Sequence, residues 1–192
     1  NTSSVAIEVM ILPVNDPPSF QIPAPNVTVV EDSGTASIPN FVLSILRGPA
    51  NSSDEDSQNL TFVFTQISGL VAFDEGPTIV ESMANKSGTL VFKPTLDANG
   101  VAKFSVYAVD DGGTENGGSN ASIQVSVMIT VTAVNDAPVF QLSSKIVTVW
   151  EDSGRIVRPS YVNLTSPGPL ILQNEEDQDL NFSLTLLDQL GI

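Results

Sequence analysis

The chain has 192 residues, 41% of them hydrophobic, with no Cys, no His and a formal charge of −15 from 22 acidic against 7 basic residues. That composition is ordinary for one or two domains with packed cores, and it excludes disulfides, thiolate or imidazole metal sites and Ser-His-Asp or Cys-His nucleophiles. The acidic balance turns away nucleic acid and anionic membrane surfaces and makes cations the natural partners, and no apolar run reaches the roughly 18 residues that a membrane helix needs.

In chain order, the first pattern is Val5, Ile7, Val9 and Ile11, whose period of two predicts a strand. The same pattern returns 120 residues later as Val125, Val127, Ile129 and Val131. At that offset Val14-Asn15-Asp16-Pro17-Pro18-Ser19-Phe20 recurs as Val134-Asn135-Asp136-Ala137-Pro138-Val139-Phe140. So do Val30-Glu31-Asp32-Ser33-Gly34, as Trp150-Glu151-Asp152-Ser153-Gly154, and Leu60-Thr61-Phe62, as Leu180-Asn181-Phe182. A tandem repeat therefore organises the chain. Residues 1–14 are expected to be the last strand of a preceding repeat, 15–20 a linker, 21–134 a complete repeat, 135–140 a second linker, and 141–192 the first part of a following repeat, all within a longer chain.

Inside the complete repeat, strands are expected near 26–31, 35–38, 41–46, 60–66, 78–83 and 88–93. Ala102, Phe104, Val106 and Ala108 alternate with Lys103, Ser105, Tyr107 and Val109, and Ile123, Val125, Val127, Ile129 and Val131 with Gln124, Ser126, Met128, Thr130 and Thr132. Glycine pairs at 112–113 and 117–118 separate the two runs, which predicts a long-looped hairpin. No window carries a helical stripe with caps. The expected fold is all-β, a series of Greek-key sandwiches of immunoglobulin-like type, with linkers stiffened by Pro17-Pro18 and Pro138. Trp150, in the place of Val30, is expected to be a packing residue.

Acidic residues gather at the ends of the expected strands: Asn15-Asp16, Glu31-Asp32, Asp54-Glu55-Asp56, Asp97, Asp110-Asp111, Asn135-Asp136, Glu151-Asp152 and Glu175 to Asp179. Loops at one end of a sandwich can converge, and an oxygen-only, carboxylate-rich set suits Ca2+ better than Mg2+ or Zn2+. Asp, Asn and Gly are also ordinary turn residues, so a single acidic loop is more often solvated turn chemistry than a ligand, and it is their joint occurrence that points to a site.

These residues resemble cadherin repeats, and still more the cadherin-like tandem repeats of large surface or fibre proteins. Asn135-Asp136-Ala137-Pro138-Val139-Phe140 is similar to the family's linker, Asp54-Glu55-Asp56 with Asn59 to its D-x-D loop, Ala108-Val109-Asp110 with Gly112 to its A-x-D-x-G, Glu31 to its early glutamate, and Leu96-Asp97-Ala98-Asn99 to its L-D-R-E. The resemblance implies calcium at the junctions. One junction would use Asn15, Asp16, Asp54, Asp56, Asn59 and Asp110; the other would use Glu31, Asp97, Asn135 and Asp136 with Glu175, Asp177 and Asp179. Ala133, Ala137 and Asn99 depart from the pattern and imply fewer or weaker ions. In the third repeat either Glu175 or Asn174 can be aligned with Asp54.

Asn-x-Ser/Thr sequons stand at Asn1, Asn26, Asn51, Asn59, Asn85, Asn120, Asn163 and Asn181, against about two or three expected by chance. N-linked glycans and an extracellular, secreted or cell-surface setting are the expectation, with Asn59 open between glycan and ligand. Asp54 and Asp56 are paired carboxylates, yet no aromatic set lines a cleft beside them, so no enzyme is expected. The function expected is that of a structural segment of a fibre or surface rod. Its partners would be neighbouring repeats and identical chains in a filament. The alternative is an adhesion module that binds a partner protein or glycan through an exposed sandwich face.

Overall fold

Nearly every alternating stretch of the complete repeat is a strand in the computed structural model, which describes residues 3–51, 53–169 and 175–185. The chain divides into two compact units, Asn1–Thr132 and Ala133–Ile192.

In the first unit β1 (Ser19–Gln21), β2 (Asn26–Val30), β3 (Ala36–Leu46), β4 (Leu60–Gly69), β5 (Phe73–Ser82), β6 (Ser87–Pro94), β7 (Gly100–Asp110) and β8 (Val125–Thr132) form two four-stranded sheets. Their orders are β1-β3-β6-β5 and β2-β8-β7-β4. The chain passes from one sheet to the other through Ile22-Pro23-Ala24-Pro25, where proline has no ladder hydrogen bond to lose. All pairs are antiparallel except β2 and β8, which run parallel from Asn26↔Met128 to Val30↔Thr132. The expected hairpin is the β7–β8 pair, running from Gly100↔Val131 to Val106↔Val125. The stretches 35–38 and 41–46 are one strand, β3, bent where its register shifts between Ile38 and Val42 and where Asn40 takes φ 55°.

One core fills the space between the sheets. Val42, Ile45, Leu90 and Phe92 come from one sheet, and Ala102, Phe104, Val106, Val127, Ile129 and Val131 from the other. Edge-on ring contacts of Phe20 with Phe62 (5.2 Å) and Phe64 with Phe104 (6.0 Å) bridge strands. Each such side chain contributes about 1.5–3 kcal/mol by leaving water.

The second unit repeats the opening of the first. β9 (Val139–Leu142) pairs with β10 (Val162–Ser166), and Val139↔Ser166 lies 120 residues on from Ser19↔Leu46. Phe140 meets Phe182 edge-on at 5.6 Å, as Phe20 meets Phe62. The turn after β2 is copied too. Asp32 (φ 61°) and Gly34 (φ 73°) match Asp152 (59°) and Gly154 (65°), left-handed positions that suit Asp and Gly. Ser33 donates to the Val30 carbonyl at 2.8 Å and Ser153 to that of Trp150 at 2.7 Å. Trp150 is 88% exposed and does not pack as expected. Residues 145–150 form no strand and are exposed throughout, Val147 included, and Val30, the counterpart of Trp150, also points out of the sandwich on β2.

Residues 3–18 belong to no strand, and Val5, Ile7, Val9 and Ile11 are exposed. β1 begins at Ser19 and β9 at Val139, within the stretches 15–20 and 135–140.

Candidate functional site

At one end of the first unit, where β4 begins and β7 ends, three segments meet: residues 13–18, the β3–β4 loop and the β7–β8 loop. Asn15 ties them together. Its Nδ2 donates to Asp110 Oδ1 (3.0 Å), to the Gly113 carbonyl (3.1 Å) and to the Ser119 carbonyl (2.8 Å), and its Oδ1 accepts from Gln58 Nε2 (2.7 Å). Gly112 is required beside it, since a Cβ there would overlap Asn15 Oδ1. Asp110 Oδ1 also accepts the Gly112 N–H at 2.9 Å.

Glu55, the middle residue of the acidic triplet, turns inward. It is only 4% exposed, its Oε1 accepts the backbone N–H of Asp16, and its Oε2 rests against Gly48, where a Cβ would overlap it. Glu55 Oε2, Asp110 Oδ2 and Gln58 Oε1 are buried with no hydrogen-bond partner. Asp110, like Glu55, is 4% exposed. Two hollows flank Glu55. One of about 170 Å³ is lined by Asn15, Asp54, Glu55 and Gln58; a smaller one of about 50 Å³ is lined by Gly48, Glu55, Asp56 and Lys86. Arg47 borders the smaller hollow but is turned to Glu81, at 3.1 Å, and to the Gln58 carbonyl. Burying two carboxylates costs several kcal/mol each unless a partner compensates the charge.

Of the residues expected at this junction, Asn15 and Asp110 come into direct contact, Asp16 joins through its backbone, and Asp54 and Asp56 border the two hollows. Asn59 holds Asp111: its N–H donates to Oδ1 at 2.9 Å and its Nδ2 to Oδ2 at 2.8 Å. Those donors, the side-chain amide first, hold the exposed Asp111 carboxyl below the usual carboxylate range.

The second unit carries the same device. Asp136 N–H donates to Glu175 Oε1, Glu175 is 4% exposed, its Oε2 is buried without a hydrogen-bond partner, and a Cβ on Gly168 would overlap that oxygen. The backbone turn is identical, Gln58 N–H to Glu55 carbonyl and Gln178 N–H to Glu175 carbonyl, each 3.0 Å. Glu175 therefore matches Glu55; Asn174, the other candidate, lies outside the described residues. Asp177 and Asp179 are exposed. Asn135 is exposed as well, and its Nδ2 donates to the Asp136 carbonyl (3.1 Å).

At the opposite end of the first unit Glu31 is 2% exposed and accepts from Asn99 Nδ2 at 3.1 Å, while Asp32 Oδ1 accepts the Asp97 N–H at 2.9 Å. Asn99, which stands where the resembled family has glutamate, thus gives Glu31 a donor in place of a second carboxylate. Sequon residues Asn26, Asn51, Asn59, Asn85, Asn163 and Asn181 are exposed and Asn120 is half-buried; Asn1 lies outside the described residues.

Residue-by-residue reading missed Glu55, Gln58 and Asp111. The first two leave a trace, since Gly48-Pro49, Glu55 and Gln58 return as Gly168-Pro169, Glu175 and Gln178. No protein-family model matches the chain, and neither does any curated protein.

Proposed function

We propose that the chain is a structural segment of an extracellular tandem-repeat fibre or surface rod, N-glycosylated and stiffened by Ca2+ where a linker meets its repeat. In this reading the sandwich is a Greek key of cadherin-like type, the chain is not an enzyme, and its partners are adjoining repeats and identical chains. The observation that carries the reading is the pair of buried carboxylates, Glu55 and Asp110, each with one oxygen lacking a hydrogen-bond partner. With no His and no Cys among 192 residues, an oxygen-seeking cation is the compensating partner that fits. The exposed sequons support the glycan part of the reading, because the acceptor must stand in solvent.

The test is the melting temperature and the scattering-derived length of the full chain in about 5 mM Ca2+ and in EGTA, a span that covers the affinities of extracellular calcium modules. A higher melting temperature and a longer, stiffer particle with Ca2+ are expected. Identical values in both conditions would overturn the reading.

A further inference from the structure

We propose that Glu55, and Glu175 in the second unit, is the ligand that couples the cation to the linker backbone, one carboxylate oxygen serving each. The inference rests on the calcium reading above and concerns how that site acts. In each unit Oε1 accepts the N–H of the linker aspartate, Asp16 or Asp136, and Oε2 is buried without a hydrogen-bond partner beside a glycine, Gly48 or Gly168. Two glycines at the same place are the steric condition for this arrangement, since any side chain there would displace the carboxylate.

The charged residues that line the two hollows with Glu55 are Asp54 and Asp56 from its own loop, Arg47, which is held by Glu81, and Lys86. A cation on Oε2 would fix the carboxylate plane, and through Oε1 the position of the aspartate N–H. The linker would then be ordered by an ion that it need not touch with its own side chain. Asp56, which lines the smaller hollow with Gly48 and Glu55, is exposed and would help complete an oxygen shell, while Glu55 would anchor it.

Glu55→Gln separates this role from a purely structural one, because the amide keeps one oxygen to accept from Asp16 while the other oxygen becomes an NH2 and the charge is lost. The full chain carrying Glu55→Gln, Glu175→Gln or both would be melted in EGTA and in Ca2+. Calcium titration calorimetry and amide exchange at Asp16 and Asp136 would accompany the melts. In EGTA the variants are expected to melt at or above the wild-type temperature. In Ca2+ they should melt below it, bind Ca2+ at least about tenfold more weakly, and lose the ion-dependent protection of the aspartate amides. Variants that melt lower by the same amount in both conditions would make Glu55 a plain structural bolt and overturn the assignment. So would calcium affinity unchanged in the double variant while the wild type binds; that outcome would leave the calcium reading standing. No binding by the wild type would remove the reading itself.

Discussion

Asn59 and Asp111 make a two-bond clasp at the surface, and its consequence is a pH dependence of known sign. The Asp111 carboxyl is held below its ordinary range by the Asn59 donors, so it binds a proton more readily in the unfolded chain. The stabilisation is complete above the ordinary carboxylate pKa of about 3.9 and fades as pH falls through the lowered folded value. Asp111→Asn is expected to lower the melting temperature slightly near neutral pH, with the two melting curves converging toward pH 2. A gap that stays constant with pH would count against it. The effect is small because the pair is exposed. These residues also mark the limit of the sequence. Three consecutive acids, 54 to 56, look alike in composition, and the backbone of a turn decides which one enters the protein. The recurrence of Gly-Pro seven residues earlier, and of Gln three residues later, gives Glu55 and Glu175 away.

For the strands, legibility tracked burial. β6 through β8 are readable because alternate residues face one core, as with Leu90 and Phe92 or Phe104 and Val106. The first half of β5 is not. Asp74-Glu75-Gly76-Pro77 has the composition of a loop, and it extends as a strand because β5 lies at a sheet edge, paired only with β6. β1 is equally hidden, three residues directly after Pro17-Pro18. The core ranking makes its own prediction. Phe92→Ala should cost about 3–5 kcal/mol in a denaturant titration, since its site is fully enclosed by both sheets, whereas Val101→Ala, outward on β7, should cost less than about 0.5 kcal/mol. Equal losses would mean that the core is misplaced.

At the scale of the whole chain the charge is unevenly spread. The outward residues of the β4-β7-β8 face, among them Val63, Tyr107, Lys103, Ser105 and Met128, include no carboxylate, while the acids lie largely in loops and at strand ends. Against a formal charge of −15 the described residues hold two ion pairs, Arg47 with Glu81 and Lys93 with Asp74. Repulsion should outweigh attraction. In EGTA, raising NaCl from about 10 to 150 mM, which shortens the Debye length from roughly 30 to 8 Å, is therefore expected to raise the melting temperature. A fall would show that attractive pairs dominate.

The parallel pairing of β2 with β8 sets how the repeat answers a pull on its two ends. The chain enters close before β2 and leaves just after β8, so tension beyond what the Asn15 and Asp16 contacts and the three-residue β1 hold drags these two strands past each other in shear. All the rungs from Asn26–Met128 to Val30–Thr132 then share the load and must fail together, where an antiparallel pair loaded at one end would unzip one rung at a time.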